Sequence, residues 1–531
     1  MRFPIKHSEK GCTASNSDPS NSLTFKGYVL EKGFNRTILI LALAIITLEF
    51  CVFKYYYPYA GFINGDSYAY MMSAFYNLRA DVYPIGYPKF LRLFSVFSFN
   101  DTSLVLFQYL LVHLSTFFLL FTISYFYKLS KWAKICLWSL TSLNPVCLYL
   151  ANYISSDSLF LGLSIIWFTH LVWIINKPSL PLIISHAIVL LIAFMVRYNA
   201  LIYPLIAGMA FFLNRRSLFL KIFGLCLSIL LVSLFIGFTS GQFKRISGIY
   251  QFSPFSGWQL ANNALYAYKF IDSSKRVAVP AKFKSLDQDV RNYFDSTRDV
   301  KKYPAEMLVA STVYMWDDKS PLRIHMIRES KRDTTKGELT NWSKIAPLYK
   351  DYASTLIKLY PSTFTQYYLW PNFKKYYAPP VEFLDSYSTR VDTVPPFAKQ
   401  WFWYPSTKLK IRVKDMNVNT FNYYPVISAV INVLFLTLSI SYLFLGFAKN
   451  SASFFKLWML GIIVWILNMG FSVFASPVAL RFQLFPFILF LIFDLIILNE
   501  IIMQGRKKSN EASMLKYISD PVNLTTEETI L

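Results

Sequence analysis

The 531-residue chain is 54% hydrophobic and 18% aromatic, and only 16% of it is charged, against roughly a quarter in a soluble domain. Its formal net charge of +23 would raise the question of nucleic acid in a soluble protein. No zinc-finger spacing, RNA-binding signature or basic helix accompanies that charge, so nucleic acid is set aside as a partner. The basic residues instead flank apolar blocks of about twenty residues, the length that crosses a hydrocarbon core as helix.

In chain order, residues 1–35 are polar and read as a cytoplasmic tail. The first apolar run starts too far along for a simple cleaved signal peptide and reads as a retained anchor. Ten spans are expected, at 36–54, 104–126, 133–151, 158–176, 180–196, 198–213, 218–239, 423–447, 455–475 and 481–503. The fifth and sixth are short and separated only by residues 195–199. Lipid offers an open backbone no partner, so the spans must be helical. The expected fold is therefore an all-α polytopic membrane protein. A bundle at 36–239 carries a first outer loop at 55–103, and a second bundle follows at 423–503. A mixed outer-facing loop domain fills 240–422, and 504–531 forms a polar, flexible tail.

Charge sets the orientation. Nineteen Lys and Arg fall in the tails and in the short connections on their side, and six in the opposite short connections. That bias places both termini in the cytoplasm. Loops 55–103 and 240–422 then face outward. The second is rich in Tyr, Trp, Phe and Lys, side chains that suit a surface on lipid headgroups.

The first outer loop carries Asn64-Gly65-Asp66-Ser67-Tyr68 and then Tyr83-Pro84-Ile85-Gly86-Tyr87-Pro88-Lys89. A carboxylate at Asp66, under the outer mouth of a helix bundle, can act as a base when desolvated. The plain alternative is an Asn-Gly-Asp turn. Residues 89–99 read as a helix lying in the interface, with Lys89 and Arg92 on one side. Asp157 opens the fourth span, where Ser and Asp are favoured helix caps; a capping carboxylate can still face a cavity. Arg197 and Arg481 stand at span ends on the sparsely basic side. They read either as snorkelling residues or as an anion site for a phosphate.

Other chemistries find little support. Cys12, Cys51, Cys136, Cys147 and Cys226 show no pairing or metal-site spacing. The histidines at 7, 113, 170, 186 and 325 show no ligand spacing. Those within spans read as helix-packing polar groups. Neither GxSxG, a phosphate-binding glycine loop, HExxH nor a dinucleotide fingerprint occurs.

Taken in order, these motifs resemble the GT-C class of membrane glycosyltransferases, which use lipid carriers and include protein mannosyltransferases and the aminoarabinose transferase. The resemblance rests on Gly65-Asp66-Ser67, Tyr83 to Pro88 and Asn144-Pro145 leading to Asp157. It rests also on Arg197-Tyr198-Asn199-Ala200, the large region between the seventh and eighth spans, and Arg481 to Pro486. It implies a donor sugar on a polyprenyl phosphate and an acceptor on a glycan, lipid or protein. Asp66 would be the general base, and Asp157 would help position the acceptor or a metal. Arg197, Arg481 or Lys89 would stabilise the phosphate, and Tyr68 and Tyr87 would join them in binding the substrate. The implied site is a bacterial inner membrane. Several relatives place two acidic residues together in the first loop, where this chain has Asp66-Ser67. Some bind a divalent cation, and metal dependence stays open here. Two alternatives also stay open: an O-antigen polymerase-like enzyme, and a lipid or sugar transporter such as a flippase.

Overall fold

The structure, a computed structural model, describes residues 24–214, 218–296, 307–330 and 337–519. His7, Cys12, most of the 1–35 tail and residues 520–531 lie outside the described residues. A short helix, α1 (Phe25–Leu30), occupies the end of the expected N-terminal tail. Next come α2 (Phe34–Tyr56), two loop helices α3 (Asp66–Phe75) and α4 (Gly86–Ser95), and α5 (Asp101–Phe126). The first bundle continues with α6 (Lys131–Ser142), α7 (Pro145–Asn152), α8 (Ser156–Asn176), α9 (Leu180–Val196), α10 (Tyr203–Leu213) and α11 (Leu218–Ser247). The intervening region contributes α12 (Pro254–Tyr268), α13 (Lys284–Ser296), α14 (Val313–Trp316), α15 (Pro321–Ser330) and α16 (Glu338–Leu359). It ends with α17 (Pro361–Phe364), α18 (Trp370–Tyr377) and α19 (Pro396–Phe402), before α20 (Tyr424–Phe444), α21 (Ala452–Ala475) and α22 (Leu484–Ser519).

Among the described residues, seven helices are long and apolar enough to cross a membrane. The chain is thus an all-α, multi-pass membrane protein. The other three expected spans are shorter pieces. Residues 133–151 break into α6 and α7, because Pro145 lacks the N–H that would continue α6 and Asn144 caps the new helix through Val146 N at 3.2 Å. Segment 180–196 is a 17-residue helix. Segment 198–213 opens as a tight 3-10 turn (Tyr198–Ile202) before α10.

The helices reverse between two tied ends. At the loop end, Gly61 N donates to Asn152 O (2.9 Å) and Ile154 N to Gly61 O (3.0 Å). At the tail end, Tyr28 donates to Ser124 O (3.0 Å), Asn176 to the Tyr127 hydroxyl (2.9 Å) and Ser453 to Asn176 (3.2 Å). The expected flexible C-tail is corrected in part. Helix α22 runs on to Ser519, with Lys507 and Glu511 3.9 Å apart one turn on.

The expected loop domain divides in two. The described residues between 254 and 369 build a helical domain with its own core, in which the Trp258 and Trp342 rings stack at 4.9 Å. Gly257 lets α12 touch α16: a Cβ there would lie 2.2 Å from Ala346 O. Residues 380–421 form a strap packed on the bundle core. It is pinned by Tyr404 on Asp101 (2.9 Å), Tyr387 on Tyr59 O (3.0 Å) and Phe62 N on Ser388 (3.2 Å). The expected mixed character is not seen. The described residues hold isolated β-bridges but no strand.

Candidate active site

Four of the sequence-expected residues meet at the loop end. Gly65, at φ +87°, takes a backbone shape that only glycine adopts cheaply. It starts α3 so that Asp66 is its first residue, where the helix dipole favours a carboxylate. Arg481, expected at the start of the last span, lies on a tight turn (Leu480–Phe482) just before α22. The turn is anchored by Leu480 N on Pro380 O of the strap (2.9 Å). From there Arg481 donates through Nη2 to Asp66 Oδ2 at 2.8 Å and through Nη1 to Asp157 Oδ2 at 3.4 Å.

Arg197 ends α9 on extended backbone and donates through Nη1 to Asp157 Oδ1. The Phe482 ring lies 4.4 Å from the Arg481 guanidinium and 4.6 Å from that of Arg197, so one ring supports both. Two carboxylates and two guanidiniums form a single chain, Asp66–Arg481–Asp157–Arg197. Burial, the largest influence, lowers Arg197 to about 10. Burial also opposes the charge on Arg481, but Asp66 leads a set of neighbours that raise it above the ordinary arginine value. Both therefore stay cationic at neutral pH.

The cap reading of Asp157 is corrected. Ser155 is the cap of α8, receiving Asp157 N at 3.4 Å and donating to the Asp157 carboxylate. With the cap supplied by serine, the Asp157 side chain is free to take the two arginines.

The motif at 83–88 now has a geometric reason. A Cβ on Gly86 would lie 2.4 Å from the Met195 carbonyl carbon, so the glycine lets the loop press on the end of α9 beside Arg197. That contact aims Tyr83 at Asp66, whose Oδ1 accepts the Tyr83 hydroxyl at 3.0 Å. Burial first, and Asp66 second, hold the Tyr83 phenol well above its ordinary value.

Three expected residues stand elsewhere. Lys89 donates to the side chain of Asn77 at 2.6 Å, past the far end of α3 from Asp66. Tyr87 is buried and donates to Gln108 at 2.8 Å. Tyr68 stacks on Phe62 at 5.7 Å against the strap residue Phe397. The helix expected at 89–99 starts three residues earlier, at Gly86, and leaves Leu93, Val96 and Phe97 exposed beyond its packed face.

Sequence reasoning missed several neighbours. Phe383 of the strap lies 4.9 Å from the Arg481 guanidinium. Next to it Glu382, at φ +50°, feels Arg481, Lys375 and Asp66, although crowding by protein pushes its carboxyl above the usual range. No periodicity signals that a strap 100 residues upstream returns to Arg481. Tyr83 and Phe482 were legible as neighbours of singled-out residues, but their roles follow only from the fold.

The residues do not present a cation donor set. Among the described residues no three His, Cys, Asp or Glu side chains cluster. Both aspartates already face guanidinium charge, so no step is routed through a metal. The histidines at 113 and 186 pack on aromatic rings, and His325 pairs with Asp289 at 2.7 Å in the helical domain. Compared with known proteins, the chain matches no family model, no curated protein and no solved structure.

Proposed function

We propose that this chain is a glycosyltransferase that moves a sugar from a polyprenyl-phosphate donor to an acceptor hydroxyl on the outer face of the membrane. The observation that carries the reading is Asp66, a carboxylate with one oxygen on Arg481 (2.8 Å) and the other receiving a hydroxyl (3.0 Å). Arg481 holds the carboxylate in place, and Oδ1 already accepts an O–H. An acceptor hydroxyl replacing Tyr83 would meet a positioned base.

In the proposed reaction the acceptor O–H gives its proton to Asp66, and the oxygen attacks the anomeric carbon. The bond from that carbon to the phosphate oxygen breaks, and the polyprenyl phosphate leaves with the electron pair. Single in-line displacement inverts the centre. Negative charge grows on the phosphate, and a preorganised cation stabilises it most in a site poor in water. The Arg481 Nε is buried without a hydrogen-bond partner among the described residues and is a donor available for it. Arg197 is the second candidate, and Lys89, from its position, is not one. Asp157 acts in this scheme as the residue that orients both arginines. Both termini then lie in the cytoplasm, and a bacterial inner membrane is the proposed location.

The test is transfer from radiolabelled polyprenyl-phosphate sugars in membranes holding equal amounts of wild type or Asp66→Asn. Loss of transfer by orders of magnitude in the variant supports both the activity and the base. Unchanged transfer removes Asp66 from the mechanism. No transfer from any donor puts the polymerase-like and transporter readings first.

A further inference from the structure

The strap brings one side chain to the site that the fold leaves unpaired. Glu382 follows Pro379-Pro380-Val381 and precedes Phe383, whose ring lies 4.9 Å from the Arg481 guanidinium. Both of its flanks are pinned to elements that hold the site. Pro380 O accepts Leu480 N at 2.9 Å, on the turn that carries Arg481. Phe383 O accepts the Tyr153 hydroxyl at 3.0 Å, on the chain leading into Asp157. Between these two ties Glu382 is held at φ +50°, a backbone shape at which glycine would be cheaper.

The Glu382 carboxyl is near enough to Arg481, Lys375 and Asp66 to feel their charges, yet it makes no hydrogen bond or ion pair among the described residues. Both cations are committed elsewhere. Lys375 donates to Ala310 O at 2.8 Å, and Arg481 reaches Asp66 and Asp157. Glu382 is exposed to solvent, but protein crowds it enough to hold its carboxyl above the usual range. A side chain that is both reachable and crowded lines a crevice, not a convex surface. The Asp66 side chain, 20% exposed, is reachable as well. Glu382 therefore stands in that crevice without the donors that would satisfy it.

We infer that Glu382 recognises the sugar of the donor, accepting hydrogen bonds from adjacent hydroxyls of a non-acidic sugar. The inference rests on the transferase reading of Asp66 and names the sugar class. In that reaction the donor sugar lies between its phosphate, at Arg481, and the acceptor oxygen, at Asp66. Glu382 feels both residues, so it stands beside the group that joins them. A carboxylate offers two acceptor oxygens, which match two adjacent hydroxyls. Positive charge for an acidic sugar is lacking. Arg481, Arg197 and Lys375 already face Asp66, Asp157 and Glu382, and the donor phosphate adds a further negative charge. A uronosyl group would be repelled, which excludes that class of donor.

The experiment is microscale thermophoresis on the full-length protein in lipid nanodiscs. The probes are farnesyl phosphate and its mannosyl, glucosyl, galactosyl and glucuronosyl esters. Wild type is compared with Glu382→Gly, which removes the carboxyl where the backbone suits glycine, so the fold is kept. Thermal melting checks that it is. Wild type should bind at least one hexosyl probe about tenfold or more tighter than farnesyl phosphate, the worth of hydrogen bonds to a charged acceptor. That preference should vanish in Glu382→Gly while binding of farnesyl phosphate stays as in wild type. A preference that survives in Glu382→Gly overturns the inference, as does wild type binding all probes alike or favouring the glucuronosyl one. Loss of farnesyl phosphate binding in Glu382→Gly also overturns it, since the residue would then only support the fold. Binding needs no turnover, so the two readings fail separately. A Glu382-dependent preference without transfer from any donor sinks the transferase reading alone. Asp66-dependent transfer alongside sugar-blind binding sinks the role of Glu382 alone.

Discussion

Arg481 Nη2 lies 2.8 Å from Asp66 Oδ2 although 415 positions separate the two residues. The contact fastens the first loop to the turn before the last span, and through Asp157 to the start of α8. The Arg481 side chain is 7% exposed and that of Asp66 20%. Removing one partner leaves the other charge poorly compensated. Arg481→Ala is expected to cost about 3 kcal/mol of stability. Arg481→Lys should fold better but lower transfer by about a hundredfold, because one ammonium cannot serve two carboxylates in a planar fork. Thermal melting and initial rates at equal protein levels separate the two effects. A lysine variant with wild-type rate would remove the guanidinium geometry from the mechanism.

Tyr83→Phe tests whether the phenol only keeps the place of an acceptor hydroxyl. The substitution removes the O–H on Asp66 and keeps the ring on Trp316. Stability should change by about 1 kcal/mol, and transfer by only a few fold. A fall as deep as that of Asp66→Asn would make the phenol a proton carrier instead.

Much of this arrangement was legible in the sequence, for identifiable reasons. Span length put helix starts at 133, 158 and 455; the helices start two or three residues earlier, at Lys131, Ser156 and Ala452, where the hydroxyls of Ser130, Ser155 and Ser451 cap them. Scarcity of charge on one side singled out Arg197 and Arg481. What was not legible is the partner of each. Asp157 looked like a cap because local propensity cannot say which of Ser155 and Asp157 caps the helix. Lys89 looked like a phosphate ligand because its distance from Asp66 depends on α3, which carries the chain away from the site. The strap was invisible because Glu382 and Phe383 reach Arg481 through a loop whose left-handed residues Ser388, Thr389 and Arg390 carry no glycine to announce the turn.

Orientation has a direct test. Cys51, Cys136, Cys147 and Cys226 are free thiols among the described residues, and they can be replaced together with Cys12. In a cysteine-free background, Lys319→Cys in the helical domain should react with a membrane-impermeant maleimide in intact cells. Lys449→Cys, in the short α20–α21 connection at the tail end, should react only after permeabilisation. The reverse pattern would invert the proposed topology and place Asp66 on the cytoplasmic face.

Asp494 lies within α22, 6% exposed, and neither carboxylate oxygen has a hydrogen-bond partner among the described residues. A buried carboxyl group without a partner is destabilising in any protonation state. Asp494→Leu should therefore raise the melting temperature by about 2–4 °C. A lowered melting temperature would mean that the carboxyl has a partner in the folded protein, and would turn attention to a role for Asp494 within the membrane.

Gly86→Ala addresses the contact on which the aim of Tyr83 depends. The added methyl would meet the Met195 carbonyl carbon and oxygen at 2.4 and 2.5 Å and Val196 N at 2.6 Å. These are backbone atoms at the end of α9, so no side chain can swing aside, and the loop itself must lift. Overpacking of this kind costs about 1–3 kcal/mol. The shift also moves Tyr83 relative to Asp66 and loosens the loop beside Arg197. Transfer should fall by more than stability alone predicts, about tenfold or greater at temperatures where the variant is fully folded. Near-ultraviolet circular dichroism checks folding, and the transfer rate reads the loss. If a folded Gly86→Ala protein transfers sugar at the wild-type rate, the 83–88 motif serves packing alone and the position of Tyr83 is irrelevant to the chemistry.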